Sequence, residues 1–196
     1  MPALTDPLRR LRTELAWLRE EFHAASAATR SRREQLAAEM VIVRMYDGWA
    51  RYCRELVILS ACGNTLTLSG TVVPAVIKRR SDVVPALLAT YVRRQYEPKW
   101  AIAAECIDAA SRLRIANLST LAGALGATNS PAEEIRNVRN YYAHREQGAA
   151  ARAIACSVFA GARPIVFDLA AYRKSGETFL DSWVNGLVLV ATSASQ

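Results

Sequence analysis

The sequence predicts an all-α fold, a helical bundle that begins with a long N-terminal helix. Apolar residues recur at spacings of three and four rather than two. Helix start and stop signals bracket the long periodic stretches. Only two short segments, 64–74 and 164–168, have the composition of extended chain.

From Asp6 to about Ala28, Leu8, Leu11, Leu15, Leu18 and Phe22 trace one apolar stripe. Thr5 or Asp6 can cap this helix, and Pro7 suits its first turn. Residues 1–30 thus read as an amphipathic helical arm, with 31–196 as a helical domain. A second helix is expected from about Ser31 to Cys62. Ser31 and Glu34 form the S-x-x-E capping box. Leu36, Met40, Val43, Trp49, Cys53, Leu56 and Ser60 trace its apolar face, and Gly63-Asn64 can adopt the left-handed backbone that ends it. Residues 64–74 are Thr- and Val-rich, read as a loop in preference to a short β-like piece.

Further helices are expected from Ser81 to about Tyr96, from Pro98 to about Ala116 and from Leu118 to Gly126. Ser130 as cap, Pro131 at the first position and Glu133 closing the box predict a helix that reaches at least Arg145 and continues past Gly148 towards Phe159. A last helix runs from about Thr178 to Ala191.

Composition narrows the function. A chain of 196 residues with net charge +7 is one domain, or one with a helical extension. The first residues lack the apolar core of a signal peptide, and no window approaches the roughly 18 apolar residues of a membrane span. The expectation is a cytoplasmic protein with reduced thiols and no membrane association. Its basic excess is almost all arginine, 22 Arg to 3 Lys. That bias suits a phosphate-bearing partner, and equally reflects arginine-rich codon usage. Cys53, Cys62, Cys106 and Cys156 are scattered and only two histidines are present, so neither a metal nor a cofactor is expected. P-loop, Rossmann and nucleophile-elbow motifs are missing.

The segment with chemical content is EEIRNVRNYYAHRE, residues 133–146. At about 100° per residue, Arg139, Asn140, Ala143 and His144 fall at about −60°, +40°, −20° and +80° from Arg136. Arg136, Arg139, Asn140 and His144 thus share a strip around Ala143. Ile135, Val138, Tyr141 and Tyr142 cover the opposite side. Histidine moves protons near neutral pH, arginine holds a phosphate and its transition-state charge, and asparagine four residues earlier can orient the imidazole or bind the ligand. The set suits metal-free RNA cleavage by a neighbouring 2′-hydroxyl. One histidine is thin for acid and base together, and a two-fold dimer would supply a second.

Arg139 to His144, RNYYAH, resembles the R-x4-6-H motif of HEPN domains, in the form with a polar residue after the arginine. The stretch VIVRMYDGWARYCRELV with Asp47 is similar, more weakly, to the long helix preceding the motif in the RiboL-PSP group of that family. The resemblance implies an all-α HEPN-like bundle that dimerises through its motif helices and cleaves RNA without metal, often as a toxin or in prokaryotic defence. It implies Arg139 and His144 as the catalytic pair, Asn140 as polar support and an antitoxin protein as a partner; the neighbouring basic residues Arg136 and Arg145 are read as RNA contacts. Glu146 stands where the adenylylated H-x-Y variant has tyrosine. The alternative function is a non-catalytic HEPN-like subunit that binds a partner protein or RNA.

Elsewhere His23 reads as a surface histidine. Trp17, Trp49, Trp100 and Trp183 read as core. The basic groups Arg30/Arg32/Arg33, Lys78-Arg79-Arg80 and Arg93-Arg94 read as exposed helix ends or an RNA path.

Overall fold

In a computed structural model the chain is helical, with two minimal hairpins. The structure describes residues 2–28, 31–92, 95–127, 131–156, 159, 163–174 and 176–196. In order, the elements are α1 (Thr5–Ala27), α2 (Arg32–Ala61), β1 (Thr65–Leu66), β2 (Val72–Val73), α3 (Arg80–Ala89), α4 (Ala103–Arg112) and α5 (Leu118–Leu125). They continue with α6 (Ala132–His144), α7 (Gln147–Ile154), α8 (Asp168–Ala171), β3 (Arg173–Lys174), β4 (Glu177–Thr178) and α9 (Phe179–Ala194). Each hairpin is a two-residue antiparallel pair, Thr65 opposite Val73 and Arg173 opposite Thr178. The 64–74 segment is therefore a short β-hairpin rather than a plain loop. Among the described residues no helix is long and apolar enough to cross a membrane.

The chain forms two compact units. The first comprises residues 1–12, 49–130 and 188–196; the second comprises 13–48 and 131–187. Their boundaries fall inside α1, α2 and α9 and between residues 130 and 131.

In the first unit, Leu4, Leu8, Leu11, Leu56, Val57, Leu87 and Leu121 are buried. The end of α2 follows its sequence signals: Gly63 and Asn64 have φ of 85° and 48°. The Thr65 hydroxyl donates to the carbonyls of Leu59 and Cys62 at 2.6 and 3.1 Å, satisfying groups the helix leaves open. Tyr52 donates to the Ala191 carbonyl at 2.7 Å. The helices around residue 96 are shorter than expected. The Thr90 hydroxyl donates to the Leu87 carbonyl and closes α3. Glu97 accepts from Arg54 at 2.7 and 3.0 Å and from Trp100 at 2.8 Å, holding 97–100 outside α4. Arg93 and Arg94 lie outside the described residues, as does Arg30.

In the second unit, Leu15, Leu18, Phe22, Ile42, Met45, Ile135, Leu169 and Leu180 are buried. The capping box opens α2: Ser31 N–H donates to Glu34 at 2.6 Å and Glu34 N–H to Ser31 Oγ at 3.4 Å. Two expectations about α2 and α1 are corrected. Leu36 and Met40 are exposed, because the buried arc at this end of α2 is Ala38, Ile42 and Met45. Trp17 is exposed too, with the Arg44 guanidinium 4.7 Å from its ring centre. Trp49, Trp100 and Trp183 are buried.

Pro131 is buried in α-helical geometry just before α6. Ser130, expected as the cap, lies outside the described residues. The helix does not run on to Phe159. It stops at His144, where Arg145 takes the left-handed conformation with φ 56° and its N–H reaches the Tyr141 carbonyl. Residues 163–165 take no regular secondary structure, so the expected extended piece is not a strand, and Val166-Phe167 turn into α8. Thr178 opens α9, accepting from Asp181 N–H at 3.2 Å.

Candidate functional site

The helix α6 presents the faces its sequence predicts. Ile135, Val138 and Tyr142 are buried and Tyr141 is half-buried. Arg136, Arg139 and Asn140 are half-buried on the other side, and Ala143 and His144 are exposed. Trp183 Nε1 donates to Glu134 at 2.9 Å and ties the first turn of α6 to α9 within the same unit.

The four basic side chains differ in what already holds them. Arg136 pairs with Glu133 one turn back at 3.0 Å. Arg145 pairs with Glu39 of α2, and its guanidinium lies 5.0 and 5.4 Å from the ring centres of Tyr141 and Tyr142. Glu39 is buried and also accepts from Gln35 at 2.8 Å. The Glu39 hydrogen bond pushes the Arg145 pKa up against the opposing effect of burial. Arg145 is therefore a clamp that ends α6 and neutralises a buried carboxylate.

Arg139 is different. One of its terminal N–H groups donates to Asn140 Oδ1 at 3.3 Å, and its guanidinium lies 5.7 Å from the Tyr46 ring centre. Its Nε is buried with no acceptor, and no carboxylate among the described residues pairs with it. His144 carries an exposed imidazole that no described residue hydrogen-bonds. Asn140 thus serves Arg139 rather than the imidazole. The Tyr142 hydroxyl is also buried without a partner, and burial pushes its pKa up.

Helix geometry sets what one copy can do. Five residues separate Arg139 from His144, so their Cα atoms lie about 7.5 Å apart along the axis and about 140° around it. At that angle the two side chains leave α6 in different directions, so one copy does not set them side by side. Asp47 is half-buried on α2, next to the Tyr46 that contacts Arg139.

Sequence reasoning missed two partners. Glu39 lies 106 positions from Arg145, and nothing local marks it as buried. His23 meets Asp181 of α9 at 3.1 Å across 158 positions, and is no plain surface histidine. Cys53, Cys62, Cys106 and Cys156 are buried free thiols, and no group of three or more His, Cys, Asp or Glu among the described residues could hold a metal ion. Compared with protein-family models, curated proteins and solved structures, the chain matches none of them.

Proposed function

We propose that the chain is a metal-independent endoribonuclease of the HEPN type, acting as a two-fold dimer in a toxin or defence role. One observation carries the reading. Of the basic groups on and beside the α6 strip, Arg136 and Arg145 are paired with carboxylates, whereas Arg139 and His144 have no acidic partner among the described residues. These are the two residues that the R-x4-6-H resemblance singles out.

In this reaction one protomer's His144 removes the 2′-hydroxyl proton and O2′ attacks the adjacent phosphorus. The second protomer's His144 protonates O5′ as the P–O5′ bond breaks. The products are a 2′,3′-cyclic phosphate and a 5′-hydroxyl, with no net change in protons. Arg139 neutralises the charge of the phosphorane, and Asn140 holds its guanidinium in place. An antitoxin would cover the exposed end of α6. Arg136 and Arg145, already paired, contribute less to RNA contact than their charges suggest.

The test is cleavage of single-stranded and transfer RNA in excess EDTA. His144→Ala and Arg139→Ala should each lower the rate by about 10²-fold or more, without loss of helical signal. Undiminished cleavage by His144→Ala overturns the mechanism. Salt-dependent RNA binding with no cleavage leaves only the non-catalytic binding subunit.

A further inference from the structure

The second unit holds an open cleft of about 660 Å³ that is separate from the α6 strip. Its walls come from the C-terminal half of α1, α8, the β3–β4 hairpin and the first turns of α9. The charged groups in it are Arg19 and His23 of α1, Arg173 of β3, Glu177 of β4 and Asp181 of α9.

The hydrogen-bond inventory is lopsided. Asp181 spends one carboxylate oxygen on His23 Nε2 at 3.1 Å and the other on the Thr178 hydroxyl. Both oxygens of Glu177 accept from the Asn185 amide at 3.3 Å. Each carboxylate oxygen of the cavity thus already accepts one hydrogen bond from its walls. The donors are not: Arg173 uses a single N–H, on the Gly176 carbonyl at 3.2 Å, and Arg19 has no ion-pair partner among the described residues. A guanidinium has five N–H groups, so both arginines keep donors that no described residue takes up. Burial raises the Asp181 pKa, but Thr178, His23 and Arg19 together outweigh it and hold the carboxyl below its ordinary range. Asp181 is therefore a fixed anion that orients His23 and does not compete for a proton.

We infer that this cavity binds an organic phosphate monoester, its phosphate held by Arg19 and Arg173 beside His23 and its organic body filling the remaining space. A planar fork suits phosphate better than a point charge would, and since Glu177 and Asp181 offset the charges of Arg19 and Arg173, recognition rests on fork geometry rather than on net charge. The volume falls in the range of small-molecule sites and exceeds what inorganic phosphate fills. The site does not depend on the ribonuclease reading, because none of its residues belongs to the α6 strip.

Calorimetric titration of the full chain with adenosine 5′-monophosphate, inorganic phosphate, adenosine and acetate tests it. The monophosphate should bind saturably and more tightly than inorganic phosphate, with adenosine and acetate weaker still. Arg173→Gln and Arg19→Gln should each weaken the monophosphate by about tenfold, the loss of a charge-assisted contact. Arg173 is exposed, so its variant keeps the fold. Arg139→Ala and His144→Ala should bind as the parent does. The inference is overturned by no saturable binding of the monophosphate, by acetate or adenosine binding as tightly as the monophosphate, by unchanged affinity in Arg173→Gln, or by affinity lost in Arg139→Ala.

Discussion

The Glu39–Arg145 clamp makes a two-substitution experiment informative, because two opposing effects meet at one residue. Arg145 sits in a left-handed backbone conformation that costs a residue with a Cβ about 1 kcal/mol and a glycine almost nothing. It also neutralises Glu39, which is only 5% exposed and whose other partner is Gln35. Removing one member of a fully buried pair costs about 3–5 kcal/mol. The Arg145 side chain is 40% exposed, so solvent screens part of the pair and about 2 kcal/mol is the better figure. Arg145→Ala loses the pair and keeps the backbone cost, giving a loss of about 2 kcal/mol. Arg145→Gly loses the pair but releases the backbone cost, giving about 1 kcal/mol. With about 2–4 °C per kcal/mol for a chain this long, alanine should lower Tm by about 4–8 °C and glycine by about half as much. Urea denaturation followed by circular dichroism measures both. Glycine proving as damaging as alanine would refute the backbone argument, and an alanine variant within about 0.5 kcal/mol of the parent would refute the ion pair.

Other expectations follow from single sites. Gly123→Ala in α5 should stabilise by about 0.5–1 kcal/mol, since an added Cβ meets nothing within 4 Å and helix propensity alone changes. Gly186→Ala in α9 should gain nothing, because its Cβ would come within 3.1–3.2 Å of the Pro131 ring; paired thermal melts compare the two. Arg54 holds the Glu97 carboxyl below its ordinary pKa, chiefly by hydrogen bonding. A depressed folded pKa adds stability above the unfolded carboxylate value and loses it as pH falls through the folded value. Glu97→Gln should therefore flatten the acid limb of stability below about pH 4.5, read by denaturation at stepped pH. In RNA cleavage, Arg145→Ala should keep most activity under conditions where it is folded, while Arg139→Ala should not; equal losses would place Arg145 in the RNA contact after all.

Local chemistry made much of the fold legible. The Ser31–Glu34 box, the Gly63-Asn64 stop and the period of α1 depend on residues within a few positions of one another, and such signals survive in any tertiary setting. The start of α2 was less clear on one point. Apolar residues there occupy two arcs, Leu36/Met40 and Ala38/Ile42/Met45, and periodicity does not say which arc meets a core. The start of α4 moved because Glu97 binds Arg54, which is 43 positions away, whereas α3 closes locally through the Thr90 hydroxyl. The two faces of α6 could be read from 100° per residue alone, but its end could not. Arg145 is an unremarkable helix residue until Glu39 draws its guanidinium across.

By itself, then, the sequence determined the all-α class, the Ser31–Glu34 box and Gly63-Asn64 stop of α2, and the sharing of one strip by Arg136, Arg139, Asn140 and His144. Tertiary structure decided which charges on and beside that strip remain open, apart from Arg136, which pairs with Glu133 one turn back. It supplied Glu39 for Arg145 and left Arg139 with an amide and a ring, and it brought Asp181 to His23. Periodicity is a property of neighbours along a helix, whereas the neutralisation of a charge depends on whichever carboxylate the fold carries to it from far along the chain.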